Sequence, residues 1–174
     1  MDIEAISAHI EIRQALVRYC RGVDRGDEDL ILSAYHPGAM DRHGTLHDAP
    51  AEDFAKHVLA RFDRPKIVGQ HHLTNTYIDL RGDVALVESY FLGFRPAINE
   101  ATGEDELVPL GGRYLDRFEK REIGWRIAER LVVVDWFHKP WSKGEIEREH
   151  RLPFPGRREK DPSYDFFRVF PSST

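Results

Sequence analysis

The period of the apolar pattern changes once along this chain, near Gln70, and that change limits the fold more than any other feature. Before it, Ile3, Ile6, Ile10, Leu16, Tyr19, Cys20 and Val23 recur mostly at three- and four-residue spacing with charged residues between them. That spacing predicts a long amphipathic helix over 3–23. The helix runs out at Asp24-Arg25-Gly26-Asp27, where Gly26 suits a helix stop and Asp27 can cap a second helix. That short second helix is predicted from Glu28 to Tyr35, closed by His36-Pro37-Gly38. A third is predicted from Ala51 to Phe62, with Phe54, Val58 and Phe62 four apart. After Gln70 the period falls to two. Gln70–Leu80 and Val84–Phe94 read as one hairpin about Arg81-Gly82-Asp83. Leu110–Lys120 and Trp125–Phe137 read as a second about Arg121-Glu122-Ile123-Gly124. Pro96–Glu106, polar and acidic, reads as a long loop between them. Helices first and antiparallel strands afterwards predict an α+β domain, with helices packed on one face of a curved sheet.

Composition excludes several functions. At 174 residues the chain has one domain's worth of length, and 41% apolar residues suffice for a core. Thirty acidic residues against 25 basic give −5, which argues against a nucleic-acid groove. The single cysteine, Cys20, rules out an internal disulfide and a cysteine-rich metal site. No apolar run approaches the roughly 20 residues needed to span a bilayer, and the start MDIEAISAHIEI is acidic and amphipathic. A soluble, cytoplasmic protein is expected, with no membrane partner.

The last stretch, 140–174, differs from the rest. Pro140, Pro153, Pro155, Pro162 and Pro171 punctuate a charged segment that also carries Trp141, Phe154, Tyr164, Phe166, Phe167 and Phe170. So many aromatics are foreign to a disordered tail. The segment is expected to be an extended arm on the domain formed by 1–139, packing on its own pocket or on a neighbouring subunit.

Nucleotide-binding loops, zinc-protease helices and nucleophile elbows are all missing from the sequence. Chemistry then has to rest on acid–base side chains in a pocket, and nine histidines supply candidates. His71 and His72 open a strand, so their side chains point to opposite faces. His71 would share a face with Leu73, Asn75 and Tyr77, and His72 with Thr74, Thr76 and Ile78; alternation alone does not say which face is inside. Asp24 ends the first helix. Asp41 and His43 alternate with Met40 and Arg42, so both can point inward as a second acid–base pair. His43, His47 and His71 lack any recognised metal-ligand spacing, so no metal is expected. Gly111-Gly112, inside a strand, reads as a bulge or bend.

The run RYCRGVDRGD closing the first helix, QHHLTN opening a strand and the hairpin GGRYLDRFEKREIGWRI together resemble the SnoaL-like branch of the NTF2-like superfamily. That branch includes scytalone dehydratase, hexachlorocyclohexane dehydrochlorinase and bile-acid dehydratases. The resemblance covers about Ile6 to Trp136. It implies a cone-shaped NTF2-like α+β barrel in which an aspartate at the end of the first helix orients a strand histidine acting as general base. Carried over, these fall on Asp24 and, through the pattern His-x-x-Thr-Asn, on His71. Other family positions are not reproduced. A second catalytic histidine falls on Phe94, a serine and an asparagine fall near Gly112 and Tyr114, an arginine near Val134 and a tyrosine near His43.

The resemblance implies a cofactor-independent lyase or isomerase acting on an apolar aromatic or polycyclic small molecule. Dehydration, other elimination and loss of formaldehyde from lignin-derived diaryl compounds are all within its range. His71, Asp24, His43 and Tyr35 are the expected catalytic residues. Tyr19, Asp41, His72, Tyr90, Phe94, Tyr114 and Trp136 are expected to line the pocket. A non-catalytic ligand-binding module and an NTF2-type interaction domain are the rival readings. A homo-oligomer, trimer or dimer, is expected.

Overall fold

The computed structural model describes residues 2–44, 46–60, 68–99, 102–138 and 160–169. The first helix, α1 (Ile3–Arg25), begins where the Asp2 carboxylate accepts a hydrogen bond from the Ala5 N–H at 2.8 Å. It ends at Gly26, whose φ of 63° is the left-handed conformation that glycine adopts without a Cβ penalty. Asp27 then caps α2 (Glu28–Leu32), accepting from the Leu30 N–H at 2.9 Å. Strand β1 (Tyr35–Arg42), β2 (Asp48–Pro50) and helix α3 (Ala51–Ala60) come next. Four long strands complete the sheet: β3 (Gln70–Arg81), β4 (Val84–Ile98), β5 (Asp105–Arg121) and β6 (Gly124–Phe137). A last helix, α4, spans Pro162–Arg168. No helix among the described residues is long and apolar enough to cross a membrane.

The strands form one six-stranded sheet in the order β2-β1-β6-β5-β4-β3. The class is α+β, helices first and a curved, unclosed sheet after, as the change of period predicts. Three details differ from the sequence-based expectation. Helix α2 stops at Leu32 instead of running to Tyr35, because Tyr35 already pairs with Ile127 of β6 and the Ile127 N–H donates to the Ala34 carbonyl at 2.9 Å. Pro37, two residues on, disfavours a helical continuation. The sheet is mixed, since β1 runs parallel to β6; these strands are far apart in sequence, so no hairpin turn forces them antiparallel. The long loop shrinks to the residues between Ile98 and Asp105, because ladder pairing continues past the buried part of the hairpin, with Pro96 opposite Leu107. Phe62, the predicted end of the third helix, and 140–159 with 170–174 of the arm lie outside the described residues.

The core lies between α1, α3 and the inner face of the sheet. Ala8, Ile12, Ala15, Leu16 and Tyr19 of α1 meet Phe54 of α3, Val87 and Phe91 of β4, Tyr114 and Phe118 of β5, and Ile127, Val132 and Val134 of β6. On the opposite, outer face, α4 docks against β3 and β5. Phe167 packs edge-on against Tyr77 at 5.6 Å, and Asp161 takes two hydrogen bonds of 2.9 Å from the Arg113 guanidinium. Arg113 is also held by Glu88 and Asp135, so three carboxylates surround one cation.

Candidate functional site

Asp24 and His71 meet at the junction of two elements. Asp24 lies in the last turn of α1, and His71 is the second residue of β3, an edge strand. One carboxylate oxygen accepts the His71 backbone N–H at 3.0 Å and the other accepts Nδ1–H of the ring at 2.6 Å. The two bonds fix the strand end and the ring together. Because a carboxylate only accepts, the Nδ1 proton is assigned, and the neutral ring carries its free lone pair on Nε2. Nε2 takes no partner among the described residues. Both side chains line a cleft of about 460 Å³ with Val17, Cys20, Arg21, Arg25, His72 and Leu73. Burial pushes the Cys20 thiol up to about 12, so this wall offers a thiol and not a thiolate.

The structure answers which of the paired histidines faces in. His71 stands opposite Gly93 and shares the inner face with Leu73 and Phe91, with 6.2 Å between the His71 and Phe91 rings. His72 stands opposite Leu92 on the outer face, its ring edge-on to Phe94 at 5.9 Å, although it also borders the cleft. The predicted face-mates change further along. Thr74 and Asn75 together oppose Tyr90, a bulge between Leu73 and Thr76 that resets the alternation. Thr76 and Ile78 therefore join the face of His71, while Tyr77 is 60% exposed on the other side.

A second cluster fills the interior. His43 donates from Nδ1 to Asp41 at 2.5 Å, and the Tyr35 hydroxyl donates to the other Asp41 oxygen at 2.5 Å. The Tyr19 hydroxyl lies 3.5 Å from His43 Nε2, and the His43 ring stacks on Phe54 at 4.6 Å. Burial opposes the charge on Asp41, but His43, Arg130 and Tyr35 outweigh it and hold the carboxyl below its ordinary value. Beside Asp41, Arg130 lies between the rings of Tyr19 and Tyr114, 4.0 and 4.1 Å from their centroids. It makes two hydrogen bonds of 2.7 Å to Asp116. Asp41, Arg130 and Asp116 are direct neighbours across β1, β6 and β5. Burial raises the phenols of Tyr19, Tyr35 and Tyr114 well above the usual range, so all three are hydrogen-bond donors at neutral pH.

The predicted residues thus separate into three groups. Asp24 and His71 form one pair at the cleft. Tyr19, Tyr35, Asp41, His43 and Tyr114 come together in the interior, where Tyr114 stacks on Phe91 at 4.5 Å. Tyr90, Phe94, Trp136 and His72 stand on the outer face and do not line that interior. In β4 the inward residues are Ala85, Val87, Ser89 and Phe91, which turns Tyr90 and Phe94 outward. Tyr90 is 41% exposed beside the Arg113 guanidinium. Trp136 is turned out by a register shift at Gly111/Gly112 and covers Gly111, where any Cβ would collide with the indole. Arg130 and Asp116 are not among the residues that the sequence singles out. Asp116 is in step with Tyr114 and Phe118, and Arg130 with Val132 and Val134, but a register shift at Arg117/Phe118 puts Ile127 on the same inner face, so counting by twos from Ile127 turns Arg130 outward. Among the described residues no group of three or more His, Cys, Asp or Glu side chains is placed to hold a metal ion.

Comparison with known proteins agrees with this architecture. The sequence pattern of the SnoaL-like domain matches residues 4–131. Among solved structures, a hexachlorocyclohexane dehydrochlorinase, LinA-type3 from Novosphingobium barchaimii, superposes with a TM-score of 0.67 at 14% identity, covering 82% of this chain and 96% of that one. A protein of Novosphingobium aromaticivorans provisionally named a scytalone dehydratase gives 0.65 at 18% identity, over 81% and 91% of the two chains. The Kfla4162 protein of Kribbella flavida gives 0.67 at 17%, over 78% and 95%. At these identities the likeness is one of fold. No curated protein matches the sequence. With the family pattern spanning most of its length and the same fold in these structures, the chain belongs to the SnoaL-like domain family.

Proposed function

We propose that the protein is a lyase or isomerase whose general base is Nε2 of His71, with Asp24 as its orienting partner. The observation that carries this reading is the two-point contact between Asp24 and His71, which leaves one basic nitrogen free beside an open cleft. In an elimination, Nε2 takes a proton from an activated C–H. The C–H electron pair becomes the new C=C bond, and the neighbouring carbon loses either a halide with its bonding pair or a hydroxyl that leaves as water by taking the proton back from the His71 imidazolium. In an isomerisation the same nitrogen returns the proton to another carbon. Asp24 stabilises the imidazolium formed in either case, and a base so placed is worth about 10²–10⁴ in rate. None of these steps requires an electron carrier. The relatives named for dehydratase and dehydrochlorinase chemistry support elimination as the reaction type. An aromatic or polycyclic body suits the apolar part of the cleft, and loss of formaldehyde from a diaryl substrate would use the same base. We assign His43 and Tyr35 a supporting part, keeping the interior carboxylate of Asp41 ionised and the Tyr19 ring in place.

The apolar wall of the cleft, Val17, Cys20 and Leu73, favours one second reading, a module that binds an apolar ligand there without turning it over. Aromatic alcohols and halides, followed by the absorbance of the new conjugated double bond, separate the two. With a substrate in hand, His71→Ala and Asp24→Asn are expected to lower kcat by about 10²–10⁴ with KM little changed. Unchanged turnover in His71→Ala would overturn the assignment.

A further inference from the structure

The cleft beside Asp24 and His71 carries a charge opposite to that of the chain as a whole. Arg21 and Arg25 stand four residues apart on α1, on one side of the helix, and both line it. Among the described residues Asp24 is the one carboxylate in that lining, and both its oxygens already accept hydrogen bonds from His71. The wall therefore sets two guanidinium groups against one satisfied carboxylate, in a chain of net charge −5. Arg25 donates to the Asp24 carbonyl at 2.9 Å, an arrangement that the negative end of the helix dipole explains unaided. Arg21 is exposed to solvent. It lies a full turn further from the helix end and makes no hydrogen bond or ion pair among the described residues. Besides His71 and His72, the rest of the described lining, Val17, Cys20 and Leu73, is apolar.

We propose that this cleft takes an amphipathic organic acid, its apolar body against Val17, Cys20 and Leu73 and its carboxylate held by Arg21 and Arg25. A planar guanidinium matches a carboxylate with two parallel N–H···O bonds, which sets orientation as well as charge. With the anion fixed on α1, the apolar body extends across the cleft towards β3, where His71 stands. The proposal rests on the reading of this cleft as the substrate site and adds the chemical class of the substrate.

Calorimetric titration of the full chain with two probes of one shape, 2-naphthoate and the uncharged 2-naphthamide, tests it. At low salt the naphthoate is expected to bind about tenfold more tightly, with the gap narrowing as salt is added. Arg21→Gln and Arg25→Gln should each remove several-fold of the naphthoate affinity and leave the amide unchanged, and the double variant should bind both probes alike. Equal affinities in the unaltered protein, a naphthoate preference that survives both substitutions, or no measurable binding of either probe at millimolar concentration overturns the proposal. His71→Ala is expected to keep the preference for naphthoate. Loss of turnover in that variant reports on the base, and loss of the preference in the arginine variants reports on the anion site, so the two readings fail separately.

Discussion

Arg130 and Asp116 face each other across β6 and β5, joined by two hydrogen bonds of 2.7 Å, and neither side chain has any exposed surface. Burial alone would strip the guanidinium of its proton more easily, but Asp116 and the surrounding phenols hold it charged, well above its ordinary value. Removing Arg130 leaves the buried Asp116 carboxylate without the two hydrogen bonds that hold it. Arg130→Met is expected to cost about 3–5 kcal/mol in urea unfolding, while Asp116→Leu combined with Arg130→Met recovers most of that loss. A single variant as stable as the parent would show that water reaches the pair.

His36 makes stability depend on pH. Its Nε2–H donates to the Glu119 carbonyl at 2.9 Å, its Nδ1 has no partner, and the ring is buried. Burial first, then the charges of Arg121 and Arg126, lower it to about 4 from an ordinary 6.5. Between those values the unfolded chain binds a proton that the folded chain refuses. Stability from this group is therefore complete above pH 6.5, falls as the pH drops towards 4, and falls no further below it. Urea midpoints measured from pH 7.5 down to pH 4 are expected to show this slope, with His36→Gln flattening it by an amount on the order of 1–2 kcal/mol.

Cys20 borders the cleft yet is expected to be inert. With the thiol pushed up to about 12 by burial, the thiolate population at neutral pH is roughly a thousandfold below that of a free cysteine. Iodoacetamide labelling followed by mass spectrometry should find Cys20 unmodified in the native protein and modified in urea. Rapid native labelling would contradict the packing of α1 against the sheet.

Asp161 has two tasks, capping α4 through the Ser163 N–H at 3.0 Å and pairing with Arg113. Asp161→Ala removes both at a cost of about 2–3 kcal/mol. Hydrogen exchange is expected to quicken across 160–169 while β4 and β5 stay protected. Uniform loss of protection would mean that α4 and the sheet unfold as one.

Asp24 and His71 are legible through the resemblance to the SnoaL-like branch, which points to a helix-end aspartate and to the pattern His-x-x-Thr-Asn, while alternation alone leaves His71 and His72 equal. Boundaries are where a helix carboxylate and a strand histidine can meet. The aromatic set is harder. Alternation assigns faces only while the pairing register is unbroken, and shifts at Leu73/Thr76 and Gly111/Gly112 interrupt it. Tyr77 and Trp136 lie beyond those shifts, so counting by twos sends them to the wrong face. Tyr90 and Phe94 mislead for another reason: a large aromatic on the outer face of a sheet looks the same in sequence as one in the core. Arg130 and Asp116 stay hidden because a charged residue in a strand is ordinarily a solvent-facing one, and only the partner on the adjacent strand makes it tolerable inside.

The bulge at Thr74 and Asn75 divides β3 into two stretches of opposite phase. Before it, His71 and Leu73 point inward; after it, Thr76, Ile78 and Leu80 do. Deleting either bulged residue would restore unbroken alternation with both stretches still facing inward, whereas a one-residue deletion within 76–80 would turn the residues after it over and send apolar ones into solvent. The ring that meets Asp24 is thereby uncoupled from the packing further along its own strand. Natural variation can exchange core residues after the bulge, or lose the extra residue at it, without turning the histidine outward.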